Sequence, residues 1–73
     1  MPQRIPPHDT DAEQAVLGCI LIDKEAATLG SELIKPDYFY DDNHSEIFQA
    51  MVELYEARKP IDLVTLTSQL KAR

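Results

Sequence analysis

The prolines outline what this chain can fold into. Three of the five fall within Met1–Pro7, one is Pro36 and one is Pro60. Each fixes φ and lacks a backbone donor, so an opening run of them gives an extended arm, and an isolated one stops a helix. The two internal prolines therefore divide the chain from residue 9 onward into segments of helical length. Aspartates at the segment boundaries supply starts. Asp23 and Asp62 are N-cap candidates, and Asp41, Asp42 and Asn43 form a third set.

Between these stops the apolar residues recur at helical spacing. In the first segment Ala12, Ala15, Val16, Cys19 and Ile20 form a stripe expected to face the core, while Leu17 and Leu21 lie nearly opposite. Such a helix is apolar on two faces, which suits a central element or one shared with a partner. Gly18 weakens it and is expected to admit another backbone, unless it is merely tolerated. The second helix places Ala26, Leu29, Leu33 and Ile34 on one face and ends near Lys35. Pro36 can then open a helical turn into Tyr38-Phe39-Tyr40, rings expected to lid the core.

Asn43 with Glu46, and Thr10 with Glu13, both have capping-box spacing, with Asp9 a competing cap for the first helix. The third helix is expected to run to about Arg58. In the last segment Leu63, Leu66 and Leu70 share a helical face. Val64–Thr67 also reads as a short strand, because its β-branched residues alternate with an apolar one. The resulting fold class is all-α: a small orthogonal bundle of about four helices over residues 9–73, preceded by a proline-rich arm over residues 1–8.

Size and charge limit the function. A 73-residue chain buries only about 60–65% of its unfolded surface, so its core is thin and association is a serious expectation. Net charge is −6, with seven scattered basic residues, which is not the footprint of a phosphate-backbone binder. No direct contact with DNA and no membrane segment are expected, since the longest uncharged apolar run, Ala15–Ile22, is far too short to span a bilayer. A single cysteine cannot form an internal disulfide and agrees with a cytoplasmic setting.

Catalytic chemistry finds little support. Glycines stand only at 18 and 30, so neither a phosphate-cradling loop nor a dinucleotide fingerprint is present. Cys19 sits in an apolar stripe without an adjacent base, where a thiol is packing rather than nucleophile. His8, Asp9, Asp11, Glu13 and His44 are the conceivable metal ligands, but two distant histidines make a poor zinc set. His44 reads better as a core-edge histidine bonded to the incoming loop, and the carboxylates sit at helix starts, where the macrodipole favours them. The fragment is assigned no catalytic residue, cofactor or metal of its own.

One pattern carries more than helix chemistry. Pro7-His8-Asp9-x-Asp11-Ala12-Glu13-Gln14-Ala15-Val16-Leu17-Gly18 resembles the opening of the DnaB family of replicative hexameric DNA helicases, with Asp9 and Asp11 where that family usually has serine and glutamate. Lys35-Pro36-Asp37-Tyr38-Phe39-Tyr40, His44-x-x-Ile47-Phe48-x-Ala50-Met51-x-x-Leu54 and Pro60-Ile61-Asp62-x-x-Thr65-Leu66 are similar to its next three blocks, in order.

The resemblance implies a non-catalytic N-terminal collar and docking domain, cut before a C-terminal helical hairpin. The ATP- and Mg-dependent 5'-3' motor would lie in the absent part of the parent chain. It further implies a homohexamer, recruitment of primase, a helicase loader as a further partner, and the bacterial cytoplasm at the replication fork. A helical adaptor or a primase helicase-binding domain of similar fold is the alternative. Leu17, Leu21, Tyr38, Phe39 and Tyr40 are the candidate contacts with partners or other copies.

Overall fold

In the computed structural model, residues 9–73 are described. The proline-rich arm and the Pro7-His8 part of the opening block lie outside them. The expected all-helical bundle is observed. α1 spans Thr10–Ile22, α2 Lys24–Leu33, α3 Asp42–Glu56 and α4 Leu63–Ala72, and a 3-10 turn over Pro36–Tyr38 links α2 to α3. Val64–Thr67 is helical, so the strand reading fails.

The caps explain the boundaries. Asp23 closes α1 and opens α2: its backbone N–H donates to the Cys19 carbonyl, while its Oδ1 accepts from the N–H groups of Glu25 at 2.9 Å and Ala26 at 3.4 Å. One residue thus serves two termini, which makes the α1–α2 corner tight. Asp62 and Thr65 form a reciprocal capping box at α4, both bonds at 2.9 Å. The Thr10–Glu13 box does not form. Asp9 takes that role, accepting from Ala12 N–H at 3.1 Å, because the Glu13 carboxylate is occupied elsewhere. At α3 the cap is Asp41, bonded to the N–H groups of Asn43 and His44, which leaves Asn43 inside the first turn. The 3-10 turn begins at Pro36, as its fixed φ favours.

The core is Leu17 and Ile20 of α1, Ala27 of α2, Phe39, Leu66 of α4, and Phe48, Ala50, Met51 and Leu54 of α3. Phe48 and Met51 are fully buried; burying each such side chain stabilises by about 1.5–3 kcal/mol. α3 is the central element, packing against α1, α2, α4 and the 3-10 turn. Phe39 lies against Phe48 with ring centroids 5.2 Å apart, so the lid role is borne out for Phe39. Tyr38 and Tyr40 instead remain about two-thirds exposed.

One expected orientation is corrected. Of the α1 stripe only Ile20 is buried, while Ala12, Ala15, Val16 and Cys19 are exposed. Leu17, from the opposite face, enters the core at 6% exposure. On α2 the expected stripe is present but its large members stay outside: Ala27 and Gly30 are buried, and Leu29 and Leu33 are exposed. The reason is steric. Small residues let α2 come close to α1, and a Cβ built on Gly30 would stand only 3.1 Å from Ile20 Cδ1. A Cβ built on Gly18 meets nothing within 4 Å, so no backbone approaches there.

α3 ends in a Schellman motif, with Lys59 N–H donating to the Leu54 carbonyl and Arg58 N–H to that of Tyr55, both at 3.0 Å. Arg58 holds φ 60, the left-handed conformation that favours glycine. The two positions predict stability gains by opposite exchanges. Gly18→Ala, adding helix propensity without a clash, and Arg58→Gly, relieving the left-handed backbone, are each expected to stabilise by about 0.5–1 kcal/mol. Thermal unfolding followed by circular dichroism should place both variants a few degrees above the parent sequence.

Candidate functional site

The feature that draws together the most polar chemistry is a junction around Glu13. Helical spacing puts Glu13 one turn before Leu17, on the core-facing side of α1. Opposite it, the 3-10 turn and the buried Phe39 ring fix the backbone that leads into α3. Glu13 Oε2 accepts from Tyr40 N–H at 2.7 Å, and Oε1 accepts from Asp41 N–H at 3.3 Å and from the His44 ring at Nδ1, 2.8 Å away. An ionised carboxylate only accepts, so the proton of this pair sits on Nδ1. The His44 side chain is 9% and the Glu13 side chain 14% accessible.

These bonds set the electrostatics. The His44 hydrogen bond, then that from Tyr40 N–H, hold the Glu13 carboxyl below its ordinary value against the opposing effect of desolvation, with smaller help from Asp41 N–H and the His44 charge. A carboxylate kept ionised and accepting three donors is a poor general acid. Its work is to fasten α1 to the approach of α3. Among the described residues no group of three or more His, Cys, Asp or Glu side chains could hold a metal ion. His8 lies outside them, and Asp9 is spent as a cap.

A second polar tether joins α3 to α4. Glu53 accepts from Gln69 Nε2 at 2.9 Å and from Arg73 at 2.7 Å, and Arg73 also reaches Glu46 at 3.1 Å. Gln69 first and then Arg73 lower the Glu53 carboxyl, while Glu53 above all raises the Arg73 guanidinium. The groups are largely solvent-facing, so the tether orients α4 more than it stabilises the fold.

The structure separates the candidate contact residues. Leu17 and Phe39 are core residues and Leu21 is half-buried against the core. Tyr38 and Tyr40 face outward. Sequence reasoning missed an almost wholly apolar exposed feature, a trough of about 350 Å³ between α1 and α2 lined by Ala15, Val16, Cys19, Ala26, Leu29 and Leu33 among others. The signal is present in the two helical stripes, of which only that of α1 carries the expectation of facing the core. Cys19, expected as core packing, is an exposed thiol on this trough. A larger mixed cleft of about 620 Å³ lies where the α1–α2 corner meets the α3–α4 loop, with Leu21, Ile22, Lys24, Arg58, Lys59 and Pro60 among its walls.

The Glu13 junction predicts a pH dependence. A carboxyl depressed in the folded state contributes stability above its unfolded value, here an ordinary 4.5. That contribution is lost as pH falls through the lower folded value. Glu13→Gln should therefore be clearly less stable than the parent sequence at pH 7, and the gap should narrow in acid as Glu13 protonates. Urea unfolding of both proteins from pH 7 down to the acid limit of folding checks this; a pH-independent gap would refute it.

Comparison with known proteins places this geometry. The family model described as the DnaB-like helicase N terminal domain matches residues 5–73. The replicative DNA helicase DnaC of Bacillus subtilis is 49% identical over 67 residues, which is 92% of this chain and 15% of that protein. The replicative DNA helicase DnaB of Geobacillus stearothermophilus is 44% identical over 70 residues, 96% of this chain and 15% of that protein. The crystal structure of the N-terminal domain of DnaB helicase from Mycobacterium tuberculosis superimposes with a TM-score of 0.86 at 38% identity, covering 94% of this chain and 48% of that one. The chain thus spans about a seventh of these two helicases and about half of the solved domain. Glu13, Tyr40 and His44, which stand in or beside the blocks that suggested the resemblance, are the residues that meet in the junction, and the chain belongs to the DnaB-like helicase N-terminal domain family.

Proposed function

We propose that this chain is the non-catalytic assembly and docking part of a bacterial replicative DNA helicase, contributing to the collar of a homohexameric ring and to recruitment of primase. The observation that carries the reading is the family match over residues 5–73, joined to a polar centre committed to holding helices together. Unwinding, ATP and Mg would then belong to the part of the parent protein that this chain does not span, and a helicase loader would be a further partner. The acidic balance, −6 over 73 residues, favours protein surfaces over a phosphate backbone as the contact. No described helix is long and apolar enough to cross a membrane; the proposed setting is the cytoplasm, at the replication fork.

Tyr38, at 65% exposure, is the ring residue best placed to meet a partner, because aromatic anchors dominate interface energies. The relatives weigh against an adaptor or a primase tail, since those named above are replicative helicases matched over more than nine-tenths of this chain.

The test is retention of the cognate primase by the complete parent helicase. Binding is expected for the parent, and Tyr38→Ser should weaken it by about tenfold or more, the scale of losing an interface anchor, with the helical circular dichroism unchanged. No retention of primase, together with a ring that assembles normally when these 73 residues are deleted, would refute the proposal.

A further inference from the structure

The α1–α2 corner and the α3–α4 loop face each other across the cleft of about 620 Å³, whose walls join two kinds of surface. Leu21 and Ile61 are half-buried there, Ile22 is 87% exposed, and Pro60 adds a further apolar wall. Lys24, Arg58 and Lys59 supply positive charge. They are three of the seven basic residues in a chain of net charge −6. Among the described residues none of the three has an ion-pair partner, whereas Arg73 is held by Glu46 and Glu53.

Two carboxylates share the cleft, and both are already engaged. Asp23 and Asp62 accept from backbone N–H groups at the starts of α2 and α4, where the positive end of each helix offsets them. The three cations have no such compensation, so the cleft is locally positive on an acidic protein. Arg58 adds an independent observation. It holds φ 60 at a position where glycine would close the same Schellman motif without strain. Strain retained at a side chain that lines a cleft points to work for the guanidinium.

The walls favour a peptide over a nucleic acid. Single strands are held by rings on which bases stack, and the ring lining this cleft, Tyr55, is half-buried with its hydroxyl donating to Glu32 at 3.2 Å. A long polyanion also meets the net charge of the whole chain. A short segment feels chiefly the nearby cations, since exposed charges beyond about 8 Å are screened at physiological salt.

We propose that this cleft docks a short acidic segment of a protein partner, an extended stretch in which carboxylates alternate with large aliphatic side chains. The carboxylates pair with the fork of Arg58 and with Lys24 and Lys59, and the aliphatic groups cover Leu21, Ile22 and Ile61. The site lies at the end of α1 away from Tyr38, which borders Ala12 and Val16. The inference therefore stands apart from primase recruitment at Tyr38.

The probe is a fluorescein-labelled synthetic peptide of alternating aspartate and leucine, titrated with the complete parent helicase and followed by fluorescence anisotropy. Saturable binding is expected, weaker as salt is added, and at least about tenfold weaker when asparagine replaces every aspartate of the peptide. Arg58→Gly relieves the left-handed backbone, so a loss of binding in it cannot come from a weakened fold; it should bind the aspartate peptide about threefold less tightly or worse, the scale of one charged contact. Lys24→Gln with Lys59→Gln should show a further loss of about that size, with the helical circular dichroism unchanged. No binding of the aspartate peptide, undiminished binding in these variants, or equal binding of the asparagine peptide would overturn the proposal. So would an oligothymidylate whose affinity falls in these variants while that of the peptide does not.

Discussion

Among the described residues, Glu13 is the side chain through which α1 is seen to bond directly to the backbone that begins α3. Its carboxylate accepts from Tyr40 N–H, Asp41 N–H and the His44 ring. Asp41, positioned by that contact, then caps α3 through Asn43 and His44 N–H groups. Phe39, immediately before Tyr40, is set against Phe48. Loss of Glu13 would take the acceptor from two backbone donors, which solvent can reach, and from the buried His44 imidazole, where an unsatisfied group is costly. The junction is polar in composition but structural in effect.

How legible the fold was depended on whether the local signal had a direction. Caps do. Asp23 and Asp62 are followed by helices as expected because a short acceptor before an apolar run satisfies orphan N–H groups in only one way. Pro36 opened its turn for an equally local reason. The inward face of α1 had no such direction, because a helix apolar on two sides gives a weak amphipathic signal. The deciding residue was polar: Glu13 shares the core-facing side with Leu17 because three donors wait for it there. That information lies 27 to 31 residues away, at Tyr40, Asp41 and His44. The same long-range partner overrode the Thr10–Glu13 capping box. In α2 the expected stripe containing Leu29 and Leu33 is present but lies outside the core, because Ala27 and Gly30 permit the closer approach.

The candidate site was legible in a different sense. The blocks that suggested the family are those whose residues meet at the junction or in the core: Ala12-Glu13-Gln14 with Leu17, Phe39-Tyr40, and His44 with Phe48 and Met51. Their resemblance to the DnaB family identifies residues that hold the fold together, not residues that react. Apolar surface stands exposed at Tyr38, in the α1–α2 trough and along Leu63 and Val64 of α4, which are 70% and 76% exposed. For a thin core such surface is an opportunity for further packing or for partners.

Native-state hydrogen exchange at two amides measures the central claim most directly. If Glu13 fastens the approach of α3, the Tyr40 and Asp41 N–H groups exchange only on global unfolding, as slowly as the amides of Met51 and Leu54 in the middle of α3. In Glu13→Ala these two should lose that protection relative to whatever the α3 amides retain. Tyr40 and Asp41 amides that exchange at unprotected-loop rates in the unaltered protein, while α3 stays protected, would contradict the account.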